Sequence, residues 1–564
     1  MSQLSEQELV RREKLAKLRA LGINPYPADL YPVNNTSKSI KKDFKEGEKV
    51  IIAGRLMSRR IQGNASFAEL QDSEGRIQVY FNRDEICAGD DKSKYNEVYK
   101  KLLDIGDFIG IEGDLFNTKV GEKTVMVKNF TLLSKALKPL PLPKLDAEGN
   151  IHDKFDDPEM RYRQRYADLV VNPNVKDVFV KRTKLFNAMR SFFNNAGYFE
   201  VETPVLQPIP GGAAARPFMT HHNALDIPLY MRIANELYLK RLIVGGFDGV
   251  YEFSKNFRNE GMDRTHNPEF TAMEIYVAYK DYNWMMDFCE QLLEHCAIAV
   301  NGTTKATFGK QDIDFKAPYA RVTMTDSIKH FTGFDITGKS EDEIRQAAKN
   351  MGIEVDNTMG KGKLIDEIFG EKCEGNYIQP TFITDYPKEM SPLCKEHREN
   401  PELTERFELM VCGKEIANAY SELNDPIDQR ERFEHQIELA KKGDDEATGV
   451  IDYDFLRALE YGMPPTSGMG IGMDRLIMFL TNNQSIQEVL FFPQMRPEKK
   501  HVEISEDAKA VFEILKKTQK LELNDLKIQS GLSNKKWDKT IKELTKNNIA
   551  KVEKTDNGLF IEIL

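Results

Sequence analysis

The sequence predicts an α+β protein built in three parts, and three observations predict it. Short alternating strands fill residues 50–134. A long region from about 160 to 500 mixes helical and strand patterns. After about residue 500 the chain restarts with three helical patterns and a final hairpin. A length of 564 residues suits this division, since a domain takes about 100–200. With 40% hydrophobic and 10% aromatic residues the chain can fill sizeable cores, which excludes a mainly disordered protein. Its 36 Gly, 24 Pro and 6 Cys exclude collagen-like and disulfide-framework classes. Lys+Arg of 79 against Asp+Glu of 89 leaves a net charge of −10. That is no basic nucleic-acid coat, although a local basic face can act within an acidic chain.

Each element can be justified in order. Residues 5–21 read as a helix rich in Arg and Lys, with Leu9, Leu15, Leu18 and Leu21 near helical spacing and Gly22 as its stop. Its exposed Arg11, Arg12, Lys14, Lys17 and Arg19 could touch RNA phosphates or form a solvated face. The stretch has no apolar core of a signal peptide. No apolar run reaches the ~18 residues of a membrane span. The expected compartment is the cytoplasm. VIIAGRLMSRR, SFAELQD, RIQVYF, FIGIEGDLF and TVMVKNFTLLS alternate as strands, separated by G-N, S-E-G and V-G-E-K turns. YNEVYKKLLDIG is helical between the third and fourth. That order is an OB-fold barrel, a platform for single-stranded nucleic acid or oligosaccharide. The first part spans 1–140, and a Pro- and charge-rich linker fills 141–160.

The long region, 161–500, has helices near 176–196, 234–244 and 283–300 and a helical insertion at about 320–375. Residues 501–564 carry three helices and the hairpin IAKVEK-TDNG-LFIEIL, with Asn557-Gly558 at its turn. This resembles a winged-helix module. It holds 12 Lys and 11 Asp+Glu, so charge alone does not mark it as a polyanion binder. No cysteines form a C-x-x-C pair, and Cys394 and His397 lack a second ligand pair nearby, so ordinary packing explains them.

Chemistry concentrates in four stretches. In 249–279 one antiparallel hairpin can present Arg258, Glu260, Phe270, Glu274 and Tyr276 on a common surface. An arginine, an aromatic ring and carboxylates together suit a nucleotide plus a cationic group. A salt-bridged sheet face is the plainer alternative. In 406–425 Gly413 marks a turn flanked by Glu408 and Glu415. Two close carboxylates repel unless a cation lies between them, and Mg²⁺ with phosphates is the usual solution. Asn418, Tyr420 and Glu422 share a strand face. Glu415 has the opposite parity, so a bulge is required before Asn418. In 466–481 alternate glycines, Gly468, Gly470 and Gly472, permit close approach, and Arg475 opens a helix. No P-loop is present. The fourth stretch, 179–206, is a helix running into a strand closed by Pro204.

In this order the four stretches resemble the motifs of class II aminoacyl-tRNA synthetases. Helix–strand–Pro204 looks like motif 1, FRNE with its loop and NPEF like motif 2, and GMGIGMDR like motif 3. With a barrel in front, the arrangement is similar to subclass IIb. GGAAARPF, MRIANELYLKRL and HNPEFTAMEIY resemble its lysyl-specific family. The resemblance implies ATP and L-lysine as substrates, Mg²⁺ as cofactor, tRNA(Lys) as acceptor, and a homodimer formed through motif 1. It implies Glu422 and Tyr276 at the lysine ε-ammonium with Glu274 beside them, Gly212 and Glu236 at the α-amino group, and Asn418 at the carboxylate side. Tyr420 and Gly470 belong to the same substrate pocket. Arg258, with Glu260, would act at the α-phosphate, Phe270 would stack on adenine helped by His266 and Asn267, and Arg475 would hold the γ-phosphate. Glu408 and Glu415 would bind Mg²⁺, while Arg60, Phe67 and Gln78 match anticodon-reading positions. Aspartyl or asparaginyl enzymes, and a non-catalytic barrel-bearing paralogue, are the competing readings. The resemblance covers residues 5–500 and assigns nothing to 501–564.

Overall fold

The five strands expected between 50 and 134 close into a barrel. They are Lys49–Gln62, Ala65–Gln71, Arg76–Asn82, Phe108–Asn117 and Lys123–Ser134, with the fifth inserted between the third and fourth. The first four run antiparallel to their neighbours, and the third pairs the fifth in parallel. The helical turn expected between the third and fourth strands is Lys94–Leu102, wound widely as a π-type helix. This is a computed structural model, and it describes residues 4–145, 151–213, 215–356, 359–441, 450–497, 504–547, 549–555 and 558–563.

The N-terminal helix, Glu6–Ala20, begins in a capping box made by Ser5 and Glu8. It is part of the barrel rather than a free basic arm. Leu18 is buried in the barrel core. Arg11 donates to the carbonyls of Ala136 (3.0 Å) and Ile105 (2.9 Å), and Lys14 pairs with Asp104 (2.6 Å). Two of the five basic residues expected to face outward are therefore consumed inside, whereas Lys17 and Arg19 stay exposed. Behind Lys14 the side chain of Lys135, fully buried, pairs with Asp104 (2.6 Å) and Asp107 (2.9 Å).

The linker region is more ordered than expected. Lys144–Leu145 pairs with Ile151–His152, and a helix starts at Pro158 with Asp157 as its cap. The long region after it is built on one eight-stranded sheet. Its order is Ala320–Thr323, Thr381–Thr384, Arg406–Val411, Lys414–Ser421, Thr466–Gly472, Glu269–Ala278, Gly249–Phe257 and Phe199–Glu200. Pairing is antiparallel except at the two outer pairs, 320–323 with 381–384 and 249–257 with 199–200. One sheet face, with Met273, Ile275, Val277, Leu409, Ala417 and Met469, packs on helices Pro173–Asn195, Tyr282–Asn301 and Met473–Leu480. These are the apolar parities read from the sequence, so the polar parities face the other way. The insertion holds helices Met324–Thr332, Glu341–Asn350 and Lys361–Lys372 around their own apolar cluster.

Residues Met1–Gln494 form one unit, and Met495–Leu564 form a second, starting slightly before the expected break. The second unit has helices Glu506–Thr518, Leu523–Ser530 and Asn534–Lys546. It also has a short strand, Lys520–Glu522, that periodicity did not reveal. This strand pairs Gly558–Ile563, which in turn pairs Ala550–Thr555. The expected hairpin is present; its turn residue Asn557 lies outside the described residues. Among the described residues no helix is long and apolar enough to cross a membrane.

Removing Asp107 leaves the buried Lys135 half-compensated, a loss of about 3 kcal/mol by analogy with other broken buried pairs. Asp107→Ala is therefore expected to lower hydrogen-exchange protection of the amides in Lys49–Gln62 and Phe108–Asn117, while leaving the eight-stranded sheet protected.

Candidate active site

The polar face of the sheet floors a cavity of about 440 Å³. The hairpin of Gly249–Phe257 and Glu269–Ala278 pairs Glu252 with Glu274 and Asn256 with Phe270. Arg258 and Glu260 follow just past the first strand, and with Phe270, Glu274 and Tyr276 they line the cavity as the alternation required. Asn256, which the sequence reading did not use, lines it too. Arg258 sits 5.1 Å over the Phe270 ring. Its Nε is buried and has no hydrogen-bond partner among the described residues. A buried guanidinium with an open donor calls for an anion. The loop residues His266 and Asn267 also border the cavity. His266 is held by Asp263 (2.8 Å), and Asn267 donates to the Glu269 carbonyl (2.7 Å).

The bulge required by parity is present. Leu409 faces Ala417 but Met410 faces Glu415, so Ile416 is the extra residue. It places Glu415 on the cavity side with Asn418 and Tyr420. Burial and the charge of Glu415 together push the Glu408 carboxyl up from its usual range. Arg406, absent from the sequence reading, opposes that rise: its guanidinium pairs with Glu408 and donates to Asn418 Oδ1 (3.2 Å). Two carboxylates on neighbouring strands at one end of a cavity suit a hard divalent ion. Among the described residues no group of three or more His, Cys, Asp or Glu side chains is placed to hold a metal ion by itself. Arg475, on the opening turn of Met473–Leu480, reaches the Glu415 carbonyl and so closes the same end. Asp474 beside it accepts from the Thr271 amide (2.7 Å) and pairs with Arg182 (2.7 Å), fixing helix to hairpin.

The other end of the cavity holds three carboxylates and a cation that the sequence reading missed. Glu236 opens the helix Glu236–Val244, and Lys240 lies one turn on, fully buried. The Lys240 ammonium pairs with Glu236 (2.6 Å) and with Glu422. Tyr420 and Phe455 lie 5.5 and 5.9 Å from it. Burial alone would lower this ammonium; the two carboxylates outweigh it and raise it above its ordinary value. The Tyr420 hydroxyl donates to Glu236 (2.6 Å), and that of Tyr276 to Glu274 (3.1 Å). Burial, reinforced by Glu236, pushes the Glu274 carboxyl up to about 8. Burial also raises Glu422 well above the carboxylate range, against the pull of Lys240. Glu236 and Glu274 line the cavity, whereas Glu422 lies just behind its wall.

Gly468 explains how these groups crowd together. A Cβ there would collide with the Glu422 carboxylate and the Tyr276 ring. Gly470 is different: a Cβ there would sit 3.7 Å from Glu274 Cγ, ordinary contact, so close approach binds only the first of the alternating glycines. Gly212, in a left-handed conformation at φ +88°, lines the same end.

On the barrel, Phe67 alternates with the buried Ser66 and Ala68 and so points outward, not into the core. Arg60 is its cross-strand neighbour on one side and Tyr80 on the other, with ring centroids 4.8 Å apart. Gln78 accepts from Thr124 (2.8 Å) on the same strand as Tyr80. Tyr80 was not singled out from the sequence, although the alternation of RIQVYF already placed it beside Gln78 on the outer face.

Comparison with known proteins agrees with this geometry. Residues 157–496 match the family of class II tRNA synthetases (D, K and N), and residues 50–133 match the OB-fold nucleic acid binding domain. A lysine–tRNA ligase of Christiangramia forsetii is 78% identical over 563 residues, 100% of this chain and 99% of that protein. One from Porphyromonas gingivalis is 70% identical, covering 88% of this chain and 86% of that protein. One from Azobacteroides pseudotrichonymphae is 64% identical, covering 88% of this chain and 99% of its own length. A chain that matches the class II family over residues 157–496, places the second and third motif stretches around one cavity, and aligns over its full length with a lysine–tRNA ligase belongs to the class II tRNA synthetases, in their lysine–tRNA ligase family.

Proposed function

We propose that the chain activates L-lysine with ATP and passes the lysyl group to the terminal ribose of tRNA(Lys), and that both steps occur in the cavity above. The observation that carries the amino-acid assignment is a charge count. Glu236, Glu274 and Glu422 bring three carboxylates to one buried end, and Lys240 brings one fixed ammonium. Two negative charges remain when the carboxylates are ionised. Lysine carries two ammonium groups; aspartate and asparagine carry one. An unpaired buried carboxylate is costly, so the pocket favours the ligand that neutralises both.

The residues divide the work by position. Glu236 and Gly212 take the α-ammonium, and Tyr276, Glu274 and Glu422 take the ε-ammonium. Asn418 lies at the carboxylate side. Arg258 reaches the α-phosphate with its open donor, Glu260 borders it, and Phe270 offers its ring to adenine beside His266 and Asn267. A lysine carboxylate oxygen then attacks the α-phosphorus in line; the new P–O bond forms as the bond to pyrophosphate breaks. A ribose hydroxyl next attacks the lysyl carbonyl carbon and AMP leaves. No protein nucleophile enters, so positioning and charge stabilisation supply the catalysis. Mg²⁺ held by Glu408 and Glu415 would neutralise the phosphates, and Arg475 would bind the γ-phosphate at the same end.

Two further parts of the reading concern partners. The outward row Arg60, Phe67, Tyr80 and Gln78 suits an unpaired anticodon, where rings stack on bases and polar groups read their edges. The edge strand Phe199–Glu200 is exposed, and Phe199, Met219, Leu225 and Phe492 are among the exposed large apolar side chains of this unit. This supports a homodimer.

In ATP–pyrophosphate exchange over the twenty amino acids, lysine alone should give turnover. Exchange with aspartate or asparagine would overturn the pocket assignment. In the same assay Lys240→Met is expected to raise the KM for lysine about tenfold, ~1.4 kcal/mol, while the KM for ATP stays within about threefold. With the internal cation gone, the carboxylates take up protons that lysine must then displace. Equal losses for both substrates would discredit the charge count. Phe67→Ala should spare exchange and cut tRNA charging; a parallel fall in both would remove Phe67 from anticodon contact.

A further inference from the structure

All but the first two residues of the second unit lie beyond both family matches, which end at residues 133 and 496. Its near-equal counts of 12 Lys and 11 Asp+Glu conceal a segregated surface. Its helix Asn534–Lys546 turns Trp537, Thr540 and Leu544 into the unit's core. Lys535, Lys539, Lys542 and Lys546 are spaced by four, three and four residues, which puts them in one stripe directly opposite that core face. All four are exposed, and none forms an ion pair among the described residues. An ordinary solvated helix would mix both signs along such a stripe.

Most of the unit's described acidic residues outside this helix are paired, while the exposed Asp538 borders the stripe beside Lys535 and Lys542. Glu506 pairs with Lys509 (2.7 Å), Glu513 with Lys516 (2.6 Å) and Asp507 with Lys536 (3.0 Å). Lys520 pairs with Glu553 (3.4 Å) and Glu562 (3.3 Å) across the small sheet. Glu543, on the striped helix itself, turns away: its carboxylate accepts from the amide (2.8 Å) and hydroxyl (2.7 Å) of Ser505. The connectivity is helix, strand, helix, helix and hairpin. The second and third helices are joined by Gly531–Ser533, with Gly531 left-handed at φ +62°. That short glycine turn is how a helix-turn-helix sets its second helix outward for a nucleic-acid surface.

We propose that this unit is a winged helix that docks on the phosphate backbone of tRNA through the Lys535, Lys539, Lys542 and Lys546 stripe. Lysines on the stripe, without Arg, Asn or Gln to fork onto base edges, fit backbone contact rather than sequence readout. Paired RNA closes its major groove to a helix, so the stripe lies across phosphates. The partner is tRNA because that is the polyanion the rest of the chain handles. The unit adds affinity and on-rate for tRNA and leaves lysine activation untouched.

The test changes all four lysines to Gln in the full chain. Lysine-dependent pyrophosphate exchange should remain at the parent level, which separates this proposal from the active-site reading. The Kd for tRNA should rise severalfold at low salt, and the slope of log K against log salt should flatten by about 3, roughly 0.7 per phosphate contact. Lys539→Gln with Lys542→Gln should give about half that change, which covers the case where the fourfold variant fails to fold. Unchanged tRNA affinity and slope in both variants would overturn the proposal. So would an equal loss for duplex DNA and tRNA, which would make the stripe a general polyanion site.

Discussion

The catalytic half of this molecule depends on keeping several carboxylates ionisable inside a protein wall. Removing a charge from water costs several kcal/mol unless a partner is supplied. Glu236, Glu274 and Glu422 converge where only Lys240 is provided internally, and Glu252 nearby is separately saturated by Arg232 (2.7 Å), Thr203 (2.7 Å) and Asn235 (2.9 Å). The contrast between the two situations is informative. Both carboxylate oxygens of Glu252 are bonded within the protein, so it serves as structure. The other three share one internal ammonium, and in the function proposed above a dibasic ligand supplies the remaining charge. The same logic recurs at the phosphate end, where Arg406 offsets only part of the Glu408–Glu415 repulsion.

The sheet makes both ends possible. Its apolar face is committed to three helices, so all tolerance for polar crowding is on the other face. A single bulge at Ile416 changes parity along one strand and brings Glu415 round to the side of Asn418. A single missing side chain at Gly468 lets Glu422 and Tyr276 approach the neighbouring strand. Helix Glu236–Val244 then lies over that corner and adds a carboxylate and an ammonium one turn apart.

Much of this was legible in the sequence, because strand alternation reports faces directly. Arg258, Phe270, Glu274 and Tyr276 fell on one surface by parity alone, and the bulge followed from the parity conflict between Glu415 and Asn418. The barrel order followed from turn residues and one intervening helix. What periodicity could not show was pairing across distant elements. Lys240 sits in ELYLKRL, where a lysine four residues after a glutamate reads as a surface i,i+4 pair. Its burial is decided by Glu422, far along the chain. Arg406 hides in the same way, at a strand start where an arginine is unremarkable. Arg11 and Lys14 looked like a basic outer face because their acceptors, Ala136, Ile105 and Asp104, lie 125, 94 and 90 residues further along the chain. The short strand Lys520–Glu522 was missed because three residues carry no detectable period.

The Lys135 cluster also bears on where this barrel can be cut. The part recognisable by family resemblance ends at residue 133, two residues short of the lysine that neutralises Asp107. It begins after the helix that brings Lys14 to Asp104. The evolutionary module and the physical one therefore have different edges. A self-sufficient barrel has to run from the capping box at Ser5 to Ala136, whose amide (2.8 Å) also binds Asp107. Grafting the shorter piece into another chain would transplant the outward row of Arg60, Phe67 and Tyr80 without the counter-ions of its buried charges.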